Sequence, residues 1–400
     1  MILGGCESLM TSSINSCGRK RILVVTGEAS GDLHGANLIR ATRATCPDWQ
    51  FFGVGGVRMA EAGCELLIRS EEIAVMGLFE VLGHFPVIRR AFKRLSAVLN
   101  GPQRPDALVL IDFPGFNLRL AKVAKRAGVP VLYYVSPKVW VWRRGRVKQL
   151  AATVDRLAVI FPFEPELYRG LGLHVEYVGH PLLDEYRPPL SRQDFLRNIG
   201  IDPGQTVVGI FPGSRANELR YNFELLLDSA GLVRQQRPDT VFLLPVAPTF
   251  KREQLAEKLA GYDLPVTMVD GDIYTTAHAC DAVLAVSGTV TLQIALAGTP
   301  MAIVYRAAPL TYAIGRHLVK VPFIGLPNIV LAEGIVREYI QDAATPEELA
   351  KEILRILGDA DYSRRMREGL AKVRARLGEP GCAGRVANML VTLVRDRDKV

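Results

Sequence analysis

From Arg21 onward the chain alternates short, β-branched, apolar runs with amphipathic helical stretches, and this alternation most narrows the folds open to it. A run that is apolar at every position, and not at every second one, must be covered on both faces, as strands of a parallel sheet wrapped by crossover helices are. In the first half, Ile22–Val25, Phe51–Val54, Ala107–Ile111, Val131–Val135, Leu157–Ile160 and Val175–Val178 read as strands. Helices are predicted over Leu33–Thr45, Leu78–Leu99, Leu118–Ala127 and Arg146–Ala152. After a linker at Tyr186-Arg187-Pro188-Pro189 the pattern restarts, with strands at Val207–Phe211, Val241–Pro245, Val266–Val269, Ala282–Val286 and Met301–Val304. Their helices are Glu218–Gln236, Arg252–Leu259, Ile273–Ala279 and Val290–Ala297; beyond Thr345 only helices remain, at Pro346–Leu357, Tyr362–Leu377 and Ala383–Val394. The predicted fold class is α/β. Two doubly wound, Rossmann-like domains, 21–186 and 190–345, face a central cleft, followed by a helical segment, 346–400, and preceded by a disordered leader, 1–20.

Ala282–Tyr305 carries no charge over a length that can cross a bilayer. Ser287-Gly288-Thr289 and Gly298-Thr299-Pro300 divide it into strand, loop, helix, turn and strand, which favours a buried α/β unit. The six Cys form no C-x-x-C pair and the six His no metal spacing, so no structural zinc and no catalytic metal are expected, and a reducing cytoplasm fits. The first twenty residues lack a charged region followed by an apolar one and do not read as a signal peptide. The formal net charge of +8 is concentrated: residues 101–150 hold ten basic and two acidic side chains. Such a patch suits nucleic acid, an anionic lipid surface or a phosphorylated substrate.

Several strand ends carry polar motifs. Thr26-Gly27-Glu28-Ala29-Ser30-Gly31-Asp32 follows the first strand; its two carboxylates suit a sugar better than a phosphate, with Ser30 or Asp32 as a helix cap the plainer alternative. Asp112, in Ile111-Asp112-Phe113-Pro114-Gly115-Phe116-Asn117, ends an apolar strand where open sheets bind ligands and is a general-base candidate; Asn117 is expected to cap the next helix. Lys138, Trp140 and Arg143 lie in a basic, Trp-containing segment suited to single-stranded nucleic acid, to a membrane interface or to a sugar.

In the second domain, Gly213 and Ser214 can offer backbone N–H groups to a diphosphate, and Arg215 can pair with it. Ser287, Gly288 and Thr289 repeat the strand, turn, helix arrangement, with Gln293 one turn inside the helix within reach of a ribose hydroxyl. Asn328, in Leu326-Pro327-Asn328-Ile329-Val330, can face the cleft or complete a turn.

Taken in order, GEASGDLHGANLIRA, VGGVRMAEAGCE, AVMGLFEVLG, IDFPGFN, YYVSPKVWVWRRGRVK, FPFEPELY, VGHPLLD, PGSRANEL, VSGTVTLQIAL and LPNIVLAE resemble the lipid-A-disaccharide synthases, family 19 glycosyltransferases, from about Arg21 to the C-terminal helices. The resemblance implies a GT-B architecture whose C-terminal helices return toward the first domain. It implies inverting transfer of 2,3-diacylglucosamine from UDP to the 6-hydroxyl of 2,3-diacylglucosamine 1-phosphate, with no cofactor. By position it makes Asp112 the base and Arg215 the diphosphate clamp, and sets Glu218, Thr289 and Asn328 near UDP. Glu28, Ser30, Asp32, Lys138, Trp140 and Arg143 fall on the acceptor side. Gly115 stands where many members have a second acid, and Gln293 where Glu is usual. An anionic membrane surface, not nucleic acid, is then the partner of the basic segment, at the cytoplasmic face of the inner membrane, and a homodimer is the implied assembly. The alternative is another GT-B UDP-sugar enzyme such as an N-acetylglucosamine 2-epimerase, which needs no acyl pocket; the apolar stretch Ile73–Leu95 favours an acylated substrate or is an ordinary core helix. A non-enzymatic RNA- or membrane-binding protein leaves the two glycine turns of the second domain without a purpose.

Overall fold

A computed structural model describes residues 18–73, 80–137, 145–308, 312 and 322–398, with the backbone alone at 80–85. The first sheet contains β1 (Arg21–Val25), β2 (Gln50–Gly55), β3 (Cys64–Arg69), β4 (Ala107–Ile111), β5 (Val131–Tyr134), β6 (Arg156–Val159) and β7 (His174–Tyr177). All pairings are parallel and the order is β3-β2-β1-β4-β5-β6-β7. Its helices are α1 (Ala29–Thr45), α2 (Val57–Glu61), α3 (Ser70–Ile73), α4 (Glu80–Asn100), α5 (Pro114–Arg126), α6 (Gly145–Thr153) and α7 (Pro181–Glu185). The central strands are buried along their length because helices cover both faces, which is why β4 and β5 read as unbroken apolar runs.

The second sheet contains β8 (Val207–Phe211), β9 (Val241–Pro245), β10 (Val266–Val269), β11 (Ala282–Val286), β12 (Met301–Tyr305) and β13 (Glu338–Ile340), in the order β10-β9-β8-β11-β12-β13. With it go α8 (Arg192–Asn198), α9 (Ala216–Gln236), α10 (Arg252–Leu259), α11 (Ile273–His278), α12 (Thr289–Ala297), α13 (Leu326–Leu331), α14 (Pro346–Gly358), α15 (Ala360–Arg376) and α16 (Cys382–Asp398). The uncharged Ala282–Tyr305 stretch is β11, α12 and β12, and no helix among the described residues is long and apolar enough to cross a membrane. Two short edge strands escaped the sequence reading. β3 is half exposed along its length, and β13 has three residues, so neither carries the continuous apolar signature of the centre.

In both sheets the strand order reverses at one point, between β1 and β4 and between β8 and β11. Loops leaving the carboxyl ends on either side of such a point diverge to opposite faces and open a crevice. The motifs Thr26–Asp32 and Asp112–Asn117 flank the first reversal; Gly213–Glu218 and Ser287–Thr289 flank the second.

The last helix belongs spatially to the first domain. Asp184, at the end of α7, accepts the backbone N–H groups of Gly381 (2.5 Å), Cys382 (3.1 Å) and Ala383 (3.0 Å), so one carboxylate holds the amino end of α16. Along that helix the Cys382 thiol meets the Tyr134 hydroxyl at 3.2 Å, Asp396 pairs with Arg156 at 2.6 Å and Asp398 with Lys20 at 2.8 Å. The chain thus passes between domains twice, near Tyr186 and near Gly378. The passages touch where the Arg374 guanidinium lies 4.5 Å over the Tyr186 ring. Removing the Asp184 carboxylate leaves three N–H groups without their acceptor; Asp184→Ala should cost about 1–3 kcal/mol. Thermal denaturation checks this, and an unchanged midpoint would mean that α16 docks by its apolar face alone.

Candidate functional site

On the first domain's side, the loops after β1 and β4 lock together. The Phe113 ring sits 2.5 Å from where a Cβ on Gly27 would be, so only glycine fits beneath it. Asp112 and Phe113 both take left-handed backbone conformations, φ 45° and 47°, and Val135 at the end of β5 has φ 64°. Such conformations cost energy for residues with a Cβ, severely so for a β-branched one, and persist only where surroundings enforce them. Here the enforcement is visible: the Asp112 carbonyl accepts the Tyr133 hydroxyl at 2.6 Å and the Asn117 amide at 2.8 Å, while its N–H donates to Tyr134 at 3.0 Å. Burial pushes the Tyr133 phenol far above its usual range, which keeps it a proton donor to that carbonyl. Asn117 is therefore not the helix cap expected from its position. It is fully buried in the first turn of α5 and reaches back also to the Ile111 and Val25 carbonyls.

Glu28 and Ser30 are exposed at the start of α1, and Glu28 makes no side-chain cap there. Asp32 departs from the acceptor-facing expectation. It is 6% exposed, and its carboxylate accepts N–H groups from Gly56 (2.6 Å), Arg58 (3.0 Å) and Met59 (3.1 Å), so it caps α2 across the sheet. Lys138, Trp140, Arg143 and part of the Ile73–Leu95 stretch lie outside the described residues.

On the second domain's side, Gly213 has φ 90°, and a Cβ there would lie 2.2 Å from the Glu218 carboxylate. That carboxylate fills the turn. Its Oε2 accepts the N–H groups of Ser214 (2.9 Å) and Arg215 (3.2 Å), and its Oε1 takes the Arg215 guanidinium at 3.0 Å. The Ser214 N–H and the Arg215 guanidinium, assigned from sequence to a diphosphate, are here held by an internal anion, together with the Arg215 N–H. Arg215 remains largely exposed on the wall of a groove of about 1640 Å³ that Ser214, Glu218, Arg220, Ser287 and Tyr305 also line.

Ser287 donates its hydroxyl to the Ile324 carbonyl at 3.0 Å, Gly288 is extended before α12, and Thr289 is exposed in the first turn. Gln293 lies deeper in α12, which packs against α11; on α11 the Tyr274 hydroxyl donates at 3.3 Å to the Leu182 carbonyl of the first domain. Asn328 lies inside α13 and is not among the residues lining the groove. It is wholly buried, its amide donating to Val336 O (2.8 Å) and Glu338 (2.7 Å), its carbonyl accepting Ile335 and Val336 N–H at 3.0 Å each. Glu338 also accepts Ile324 and Gly325 N–H at 2.8 and 2.9 Å, so through Ile324 this network supports Ser287.

Glu338 and Asn222 were missed in the sequence. Asn222, one turn after Glu218 on α9, accepts Arg306 N–H at 2.9 Å and donates to Glu218 O at 2.8 Å, joining the α9 turn to the end of β12. A buried amide four residues beyond a loop carboxylate was the available signal.

The fold has the expected relatives. A UGT transferase from Siraitia grosvenorii, solved in complex with UDP, superposes with a TM-score of 0.58 at 14% identity, over 94% of this chain and 99% of that one, a likeness of fold. In sequence, the lipid-A-disaccharide synthase of Syntrophotalea carbinolica is 62% identical over 377 residues, 94% of this chain and 96% of its own. That of Geobacter sulfurreducens is 49% identical over 375 residues, 94% and 97% of the two chains. The family model for lipid-A-disaccharide synthetase matches residues 22–383, and the chain belongs to that family.

Proposed function

We propose that the chain condenses UDP-2,3-diacylglucosamine with 2,3-diacylglucosamine 1-phosphate, giving the β-1,6-linked lipid A disaccharide 1-phosphate and UDP. The observation that carries this reading, beside family membership, is the pair of strand-end turns. One presents a carboxylate, Asp112, on a backbone fixed by Tyr133 and Asn117; the other presents a cation, Arg215, at the amino end of a 21-residue helix.

Asp112 takes the proton of the acceptor 6-hydroxyl as the oxygen attacks the anomeric carbon from the face opposite the diphosphate. The bond from that carbon to the diphosphate oxygen breaks, its electron pair leaves with UDP, and the configuration inverts. Arg215 and the α9 turn receive the charge that develops on the leaving group. For this the diphosphate replaces Glu218 on Ser214 and Arg215. The step needs no cofactor, since the UDP-sugar is itself a substrate. Both substrates are acylated, so we assign the enzyme to the cytoplasmic face of the inner membrane, with Lys138–Lys148 meeting anionic lipid.

Asp112→Ala should lower turnover by about 10²–10⁴-fold while UDP affinity stays the same. Transfer assays with both acylated substrates and UDP calorimetry check this; near-normal turnover would remove Asp112 as the base. Arg215→Ala should weaken UDP binding and turnover together, and unaltered UDP affinity would exclude it as the clamp. Turnover of UDP-N-acetylglucosamine alone, with no disaccharide formed, would point to an epimerase. Vesicle binding that ignores both salt and lipid charge would exclude the electrostatic membrane contact.

A further inference from the structure

The second domain has another concave surface, at the amino-terminal edge of its sheet, opposite the loops that follow β8 and β11. Gln205 and Thr206 precede β8 there and Asp281 precedes β11. The cavity measures about 480 Å³, and its lining includes Arg192, Arg237, Asp281, Ser363, Arg364 and Arg367. Four guanidiniums thus meet one carboxylate.

Partner by partner, the charge is not balanced. Arg192 is committed to the fold: it donates to the carbonyls of Ala279 and Gln205 and pairs with Asp281 at 3.1 Å. Asp281 is likewise committed, accepting Val207 N–H at 2.8 Å. The other three guanidiniums are weakly held. Arg237 reaches the Leu357 carbonyl at 3.4 Å and Arg367 the Gly298 carbonyl at 3.3 Å, both long contacts to neutral acceptors. Arg364 pairs with Asp361 at 2.8 Å, but both side chains are mostly exposed, so solvent screens the pair. Each guanidinium offers five N–H donors, most of which these contacts leave over. The 17-residue helix α15 begins here too, with Ala360 and Ser363 on the wall, but the Asp359 carboxylate already caps its amino end by accepting Tyr362 N–H at 2.9 Å, so the guanidiniums alone supply the positive field.

We propose that this cavity is a second anion site, which takes a phosphate or diphosphate group through Arg237, Arg364 and Arg367. Guanidinium forks match phosphate oxygens two at a time, and a cavity of this size accommodates a phosphate ester. The proposal does not depend on the transferase reading, because none of these residues lines the Arg215 groove. The phosphate can come from a soluble ester or from a lipid headgroup.

The test uses the full chain with its uridine site saturated by UDP, into which inorganic pyrophosphate is titrated by calorimetry. Wild type should bind it, and the triple variant Arg237→Gln/Arg364→Gln/Arg367→Gln should bind it at least about tenfold more weakly, with UDP affinity equal in both as the control for folding. If the triple variant fails that control, Arg364→Gln alone, at an exposed position, provides the comparison. Flotation on phosphatidylglycerol and phosphatidylcholine vesicles separates the sources. A loss confined to pyrophosphate identifies a soluble ester, and a loss of phosphatidylglycerol binding identifies a headgroup. Wild type and variant alike in both measurements would overturn the site.

Discussion

Covering a parallel sheet on both faces pushes polar chemistry to the strand ends, and the crevices at the carboxyl ends where the order reverses are the places where two loops diverge to open a cleft. In this molecule that constraint acts twice, at β1/β4 and at β8/β11. Its cost is backbone strain, since a chain leaving a buried strand must turn at once. Asp112, Phe113 and Val135 meet that cost in left-handed conformations, each about 1–3 kcal/mol uphill. The Tyr133 hydroxyl and the Asn117 amide offset part of it by converging on one carbonyl. The proposed base of the first domain, Asp112, is thereby positioned through its backbone, by groups that sit in the core.

The second domain solves the same problem differently, and relative strengths show which contacts can yield. Glu218 holds Arg215 in an ion pair whose guanidinium is 62% exposed, a class worth about 0–1 kcal/mol. A diphosphate, with more charge and more acceptor oxygens, can take over this pair together with the Ser214 and Arg215 N–H groups that Glu218 also holds. The Asn328–Glu338 network is the opposite case. Asn328 is buried with both donors and its acceptor engaged, so breaking the network would strand polar groups at about 1–3 kcal/mol each. On the proposed reading, Glu218 is placed to exchange with the diphosphate, while Glu338 holds Ile324 and, through it, Ser287 in place.

This difference also marks where sequence reading succeeded and where it stopped. The strand and helix alternation was legible because burial on both faces writes itself into composition, and the uncharged Ala282–Tyr305 run resolved correctly into β11, α12 and β12. The turns at Gly27, Asp112 and Gly213 were legible because they interrupt apolar runs with glycine and charge. What could not be read was the partner of each polar group. Asp32 is spaced to cap its own helix yet caps α2, which only the packing of β2 beside β1 brings near. Asn117 and Asn328 look like turn or cleft residues in one dimension, and their full burial appears only when Tyr133 and Glu338 arrive from strands elsewhere in the chain. Glu338 itself was hidden on a strand too short to announce itself.

The same reasoning explains why the end of the chain completes its beginning. Buried β5 and helix α1 leave apolar and polar surface that nothing within residues 21–186 covers, and α16 supplies the cover: Cys382 to Tyr134, Asp396 to Arg156, Asp398 to Lys20. Because Asp184 holds the amino end of α16 only a few residues from the first crossing at Tyr186, the two crossings lie side by side. Tyr274, on α11, also links the domains, its hydroxyl donating to the Leu182 carbonyl at 3.3 Å, and α11 packs against α12, the helix that begins at Thr289.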